Sequence, residues 1–310
     1  MPDHDALLSI GGNLGDRDAA VASVVDTLRA DGRVSETTLS PLYATPAIGG
    51  PPEQPDFLNA ALRLRFNGHA SELLTLVGQM ETSAQRRRTT RWAARTLDVD
   101  VILFGCADRD TRTLAIPHPR YASRRFVLVP SADVAADMVD PRTGWTIAET
   151  LRHLDAALPS MRITGGSVET RRRIVDAVEE RSVDAGRPIP VLRDDEPIIG
   201  ESDDPKGRIV VRLRSLEDRH EHWWCDAISG PAAGPHDGNA TDPADPESLR
   251  RRLDWPPMTR LYRGRRERPE YDLDPSDLRW AADELTAAMR SMVCPCRRID
   301  AGPTSAEPQT

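Results

Sequence analysis

The run Leu97-Asp98-Val99-Asp100-Val101-Ile102-Leu103-Phe104 is rich in β-branched and apolar side chains and stops at Gly105, the pattern of a strand. Side chains two apart on a strand share a face, with α-carbons about 6 to 7 Å apart. Asp98 and Asp100 therefore point one way, while Leu97, Val99, Val101 and Leu103 point the other. One face goes to a core and the other carries two neighbouring carboxylates. Such charges repel and resist desolvation unless something positive stands beside them. A hard cation meets that need, since Mg²⁺ accepts one or two protein carboxylates and completes its octahedron with water and substrate phosphate. So would the arginines just upstream, in "QRRRTTRWAART", by pairing with the aspartates on a polar sheet face. Spacing alone leaves both open.

At 310 residues the chain can form one large domain or two ordinary ones. Its mean hydropathy of −0.49 predicts solubility, and no run has the apolar length of a membrane span. The start, "MPDHDALLSIGG", lacks the basic region and long apolar stretch of a secretory leader, so cytoplasmic residence is expected. Cys106, Cys225, Cys294 and Cys296 are too few and too uneven for a disulfide framework. A formal net charge of −8 argues against nucleic acid as a partner. Lys206 is the only lysine, which excludes the GK[ST] of a P-loop and argues against Schiff-base chemistry. Any phosphate must be handled by arginine, metal or backbone amides.

Along the first half, "ALLSI" reads as a strand and "GGNLG" as a tight turn at a pocket wall, with a helix opening at Asp16. "VSETTLSPLYAT" reads as one strand and "AIGGPPEQP" as an irregular loop. In "DFLNAALRLRF", Leu58, Ala60, Leu62 and Leu64 share a strand face; "ASELLTLVGQMETSAQ" is a second helix; "SRRFVLVPSADVAADM" reads as a loop and then a short helix. Strands interrupted by two principal helices predict an α+β fold, with helices packed on a largely antiparallel sheet. Composition shifts near residue 158, since all four phenylalanines precede it and the remainder is rich in Arg, Asp and Pro. There "MRITGG", "ETRRRIVDAVEERSVDAG", "PIPVL" and "GRIVVRLRSL" suit a small β-α-β-β unit. Residues 229–248 read as a flexible segment, Ser276 as the N-cap of a last helix, and the tail from Ala301 as disordered.

Taken together, "SIGGNLGDR", "SPLYATPAIGGPPEQPDFLNAALRLR", "RWAARTLDVDVILFG" and "IPHPRYASRRFVLVP", in this order, make the first half similar to the 6-hydroxymethyl-7,8-dihydropterin pyrophosphokinases of folate biosynthesis. The resemblance implies a ferredoxin-like α+β sandwich over residues 1–157, followed by a smaller α+β appendage over 158–310. It also implies transfer of the β,γ-pyrophosphoryl group of ATP to the pterin hydroxymethyl group, releasing AMP. Two Mg²⁺ ions would sit on Asp98 and Asp100, which selects the metal reading over the structural one. Paired metals suit this chemistry, because phosphoryl transfer needs positioning and charge neutralisation more than covalent help.

By the same resemblance, Arg86 and Arg95 touch the triphosphate during reaction, and Arg88, Arg91, His118 and Arg124 hold ATP. Guanidinium forks match phosphate oxygens bidentately. Phe57 and Phe126 match the positions that stack on the pterin, and Asn59 the one that reads its edge, with both a donor and an acceptor to offer. Thr45, Pro46 and Ile48 would line that pocket, and Trp92 would cover it when the loop holding the arginines shuts. Two departures touch this loop: Ala93-Ala94 stand where the family has Gly-Pro, and the loop is one residue shorter than in some members. They bear on the closing motion, and a pterin- or nucleotide-binding protein with impaired catalysis is the alternative. In the second half, His220, His222 and Cys225, with Cys294 and Cys296, lack the usual zinc spacing. That portion is expected to serve self-association, docking to a protein partner, or regulation.

Overall fold

The computed structural model describes residues 3–51, 53–84, 94–110, 114–184, 191–192, 198–199, 207–213 and 266–299. Its first unit follows the order β1 (Asp3–Gly12), α1 (Arg17–Ala30), β2 (Val34–Leu39), β3 (Leu42–Thr45), β4 (Phe57–Asn67), α2 (Ala70–Ser83) and β5 (Asp98–Phe104). With β2 and β3 as two pieces of one edge, this is the β-α-β-β-α-β pattern of a ferredoxin-like α+β sandwich. The sheet runs β13 (Arg297–Ile299), β3, β4, β1 and β5, with β2 also on β4, and every pairing in it is antiparallel. Its outermost strand, β13, comes from the far end of the chain.

Strand alternation divides the sheet's surroundings. Ala6, Leu8 and Ile10 of β1 with Leu58, Ala60, Leu62 and Leu64 of β4 turn to one side. There they meet Val21, Val24, Val25 and Leu28 of α1 and Leu73, Val77 and Met80 of α2. The Asp16 carboxylate caps α1 by accepting from the Ala19 amide at 3.0 Å, which satisfies a donor that the helix leaves orphaned. On the other side Leu7, Ala61 and Leu103 pack under α3 (Arg125–Ala135) and α4 (Ile147–Asp155).

The same second core continues into the C-terminal portion. Two short strands, β6 (Arg109–Asp110) and β7 (Ala115–Ile116), pair with each other before α3. Beyond α4 come β8 (Met161–Gly165), α5 (Val168–Asp184), β9 (Val191–Leu192), β10 (Ile198–Ile199), β11 (Ile209–Leu213), β12 (Glu270–Leu273) and α6 (Leu278–Met292). They build a mixed sheet, β12-β11-β8-β10-β9, in which β11 runs parallel to both β8 and β12. Met161, Ile163 and Val211 of this sheet, Ile174 and Val178 of α5, and Leu285, Met289 and Met292 of α6 share one cluster with Leu7, Ala61 and Leu128. The portions before and after residue 157 thus bury a common apolar surface, at roughly 1.5–3 kcal/mol for each large side chain removed from water.

Four local readings are corrected. Leu103 lies on the side of Asp98 and Asp100 rather than with Val99 and Val101, because the β1–β5 register shifts between Leu7 and Leu8, which pair with Leu103 and Val101. "VSETTLSPLYAT" forms two strands, because Pro41 has no N–H for the ladder and Ser40 turns its amide to the Ala61 carbonyl at 2.8 Å and its hydroxyl to the Ala61 amide at 2.9 Å. The expected loop after Ser123 is helix from Arg125, with Pro130 inside α3 despite the hydrogen bond its ring forfeits. The N-cap of α6 is Asp277, whose carboxylate accepts from the Trp280 amide at 3.0 Å, one residue beyond Ser276. The 229–248 segment and the tail from Ala301 lie outside the described residues.

Candidate active site

The sheet face opposite α1 and α2 carries polar residues in register. Tyr43 stands across from Asn59, Asn59 across from Gly11, and Gly11 across from Asp98. In the adjacent row Ala61 faces Ser9, which faces Asp100. Gly11 leaves the floor between Asn59 and Asp98 without a side chain, and any Cβ there would lie 3.0 Å from Asn59 Oδ1. Above this floor opens a cleft with about 910 Å³ of empty space including its mouth. Thr45, Pro46, Ile48, Phe57 and Asn59 line one part of it, and Arg95, Asp98, Asp100, Arg124 and Phe126 line it too.

Asp98 and Asp100 do share a face, each half-buried, with Val99 and Val101 buried behind them. Arg95 Nη1 donates to Asp98 Oδ2 at 2.6 Å. The loop that holds Arg95 is pinned by Asn13, whose Oδ1 accepts from the Arg95 amide at 2.8 Å while the Asn13 amide donates to the Arg95 carbonyl at 2.9 Å. "GGNLG" is therefore more than a turn at the wall: it fixes where the guanidinium stands. Asp100 Oδ2 has Arg124 Nη1 at 3.7 Å and His118 Nε2 at 3.8 Å, distances of ion pairing rather than hydrogen bonding.

His118 Nδ1 accepts from the Arg120 amide at 3.2 Å, which puts the ring proton on Nε2, toward Asp100. Burial pushes the imidazole well below its usual pKa, and Arg124 and Arg120 add to that effect, so the ring is neutral near pH 7. Burial and then Arg120 also work against the charge of Arg124, while Asp100, Glu284 and Asp98 support it. Arg124 lies 5.8 Å from the centre of the Phe126 ring, joining the cationic part of the cleft to its aromatic part. In the other part Asn59, nearly fully buried, donates from Nδ2 to Thr45 Oγ1 at 2.8 Å.

Among the described residues no cluster of three or more His, Cys, Asp or Glu side chains is arranged as a closed metal cage. Two carboxylates beside an open cleft fit an ion that draws its remaining ligands from water and phosphate, which is the habit of Mg²⁺ rather than of structural zinc. Cys294 is buried and Cys296 half-buried, with Cys296 Sγ 3.5 Å from the Cys294 carbonyl.

With this geometry in place, a model of the family described as 7,8-dihydro-6-hydroxymethylpterin-pyrophosphokinase (HPPK) matches residues 7–136. The 2-amino-4-hydroxy-6-hydroxymethyldihydropteridine pyrophosphokinase of Synechocystis is 36% identical over 180 residues, which cover 54% of this chain and 86% of that relative. Its counterpart in Methylorubrum extorquens is 35% identical over 150 residues, 48% of this chain and 93% of the relative. The chain belongs to the HPPK family. A wild-type HPPK-DHPS from Plasmodium falciparum has a TM-score of 0.36 at 10% identity, covering 70% of this chain and 58% of that one.

Set against the HPPK resemblance, the structure brings Thr45, Pro46, Ile48, Phe57, Asn59, Arg95, Asp98, Asp100, Arg124 and Phe126 to one cleft. His118 stands beside Asp100, off the cleft wall. Arg86, Arg88, Arg91 and Trp92 lie outside the described residues, as do His220, His222 and Cys225. Sequence reasoning passed over Ser9, Gly11, Ser123 and Arg120, which also line the cleft, and a set of residues on α6. The "PHPR" turn and the double glycine after "ALLSI" were visible signals for Arg120 and Gly11. Nothing in the sequence pointed from α6 to this site.

Proposed function

We propose that the chain transfers pyrophosphate from ATP to the hydroxymethyl group of 6-hydroxymethyl-7,8-dihydropterin, with Asp98 and Asp100 as the ligands of two Mg²⁺ ions. The observation that carries this reading is a single cleft lined by both a carboxylate–arginine cluster and an amide with two aromatic rings. The first suits a polyphosphate and the second a flat heterocycle. Phe57 and Phe126 flank the pterin, and Asn59, held by Thr45, reads its amino-pyrimidinone edge. Arg95 and Arg124 bind the phosphates, and His118 holds its neutral ring beside Asp100. By the resemblance, Arg86, Arg88 and Arg91 would contact the nucleotide and Trp92 the pterin. The ions, when bound, neutralise the polyphosphate and align it.

In that arrangement the pterin hydroxyl oxygen forms a bond to the β-phosphorus, and the bond from that phosphorus to the oxygen of AMP breaks. The hydroxyl proton passes to solvent. Residues 1–157 carry the groups named here, and residues 158–310 form the appended portion, part of which offers a surface for a protein partner or for self-association. Among the described residues no helix is long and apolar enough to cross a membrane, in keeping with a cytoplasmic enzyme.

A coupled assay for AMP tests the reading: AMP should appear only when MgATP and the pterin are both present. Tight binding of pterin and nucleotide without AMP release would instead make the chain a binding protein.

A further inference from the structure

Helix α6 belongs to the portion that the HPPK match does not reach, since that match ends at residue 136. Yet Glu284, Ala287, Ala288 and Ser291 of α6 line the cleft. They sit at i, i+3, i+4 and i+7, one stripe of a helix. Leu285, Met289 and Met292 face the core instead. Ala288 also belongs to the apolar core, so the stripe lies at the boundary between core and cleft. It borders the cavity in which the substrates are proposed to meet.

The two ends of the stripe reach different parts of the cleft. Glu284, almost wholly buried, pairs with Arg120 Nη1, whose backbone amide is bound by His118 Nδ1. That end lies with the cationic cluster around Asp100. At the other end, just past Ser291, Arg125 Nη1, next to Phe126, donates to the Cys294 carbonyl at 3.2 Å, and Arg297 pairs with Ala44, next to Thr45. That end lies with the residues expected to hold the pterin. Seven helical steps run from Glu284 to Ser291, a rise of about 10 Å. β13 then returns to the sheet edge beside β3, so both ends of the segment are fastened to the site it borders.

We propose that α6 is a wall of the substrate pocket, with Ala287 setting the room beside the pterin and Glu284 acting as a positioning residue that holds Arg120 toward the nucleotide. The proposal rests on the pyrophosphokinase reading and extends it to a part of the chain outside the family match.

The test uses the full chain and steady-state kinetics in both substrates, with melting temperature as a control. Ala287→Leu should raise the KM for the pterin at least about fivefold at unchanged melting temperature. Glu284→Ala should raise the KM for ATP at least about threefold with kcat within about twofold, and Glu284→Gln, which keeps a hydrogen-bond acceptor, should restore part of it. A purely structural helix would lower the melting temperature and leave both KM values in place. Should Ala287→Leu fail to fold, Ala287→Cys supplies the readout: alkylation at that position, followed by mass spectrometry, should slow when pterin and a non-hydrolysable nucleotide are present. An unchanged pterin KM, or alkylation indifferent to ligands, overturns the wall, and an unchanged ATP KM in Glu284→Ala overturns the positioning role. Absence of AMP from the unmodified chain would instead overturn the pyrophosphokinase reading itself.

Discussion

Gly11→Ala isolates the part of the site proposed to read the pterin. Gly11 lies within β1 at a backbone conformation open to any residue, so alanine brings no dihedral strain. The added Cβ would sit 3.0 Å from Asn59 Oδ1 and 3.9 Å from the Leu58 carbonyl, with nothing else within 4 Å. Asn59 must then move by a few tenths of an ångström. It is 4% exposed and donates to Thr45 at 2.8 Å, so it has little free space to take up the shift. A hydrogen bond bent or lengthened in a buried recognition site costs about 1–3 kcal/mol, or roughly 5- to 150-fold in affinity. We expect the KM for hydroxymethyldihydropterin to rise within that range while the KM for MgATP stays within about twofold, because no atom of Asp98 or Arg95 lies within reach of the new methyl group. Urea unfolding should show stability within about 1 kcal/mol of the parent. A Gly11→Ala enzyme with the parent's pterin KM would refute the assignment of Asn59 as the edge-reading residue.

Asp98→Asn and Asp100→Asn should each lower the rate of AMP formation by about 10³-fold or more while the circular dichroism spectrum stays that of the parent; near-parental turnover would remove the metal assignment. Tyr121 donates to Asp140 Oδ2 at 2.7 Å with both side chains buried, so Tyr121→Phe should destabilise the chain by about 1–3 kcal/mol in urea, and a neutral result would show that Asp140 finds another donor. The Arg33 guanidinium and amide hold the Asp31 carboxyl down to about 2. A depressed acid stabilises the fold above its unfolded pKa of 3.8 and loses that contribution as the pH falls toward 2. Asp31→Asn should therefore cost under about 1 kcal/mol at pH 7, since Arg33 is well exposed, and the difference from the parent should close near pH 2 in melts at stepped pH. Ending the chain after residue 157 removes Leu285, Met289 and Met292 from the core around Leu128, so the fragment should aggregate on expression; a soluble and fully active fragment would show that the shared core is dispensable.

The first unit was legible because its signals are local. Alternation at every second residue puts Asp98 with Asp100 and Phe57 with Asn59 whatever the strands pair with, and the structure needs only the right neighbours to bring them together. The boundaries were less legible where two rules compete. Pro130 argues against a helix, yet α3 buries Val127 and Leu128 on the sheet, and tertiary packing overrides the lost hydrogen bond. Ser276 and Asp277 are both good caps, and only the register of the following turn chooses between them.

What no local pattern could reveal is the closure of the chain on itself. Glu284 and Arg120 are 164 residues apart, and β13 has only three residues, too few for any periodicity to announce an edge strand. Such contacts follow from loop closure and from apolar surface that each part leaves unburied. The first unit offers one: the sheet's second face, with Leu7, Ala61 and Leu103, is only partly covered by α3 and α4. The C-terminal portion supplies α5, α6 and a second sheet whose apolar residues join the same cluster. Because the cleft lies on that face, whatever covers the core also borders the substrates. The appended portion is thereby tied to the site by packing, and changes in α6 should reach the chemistry without any separate signal between domains.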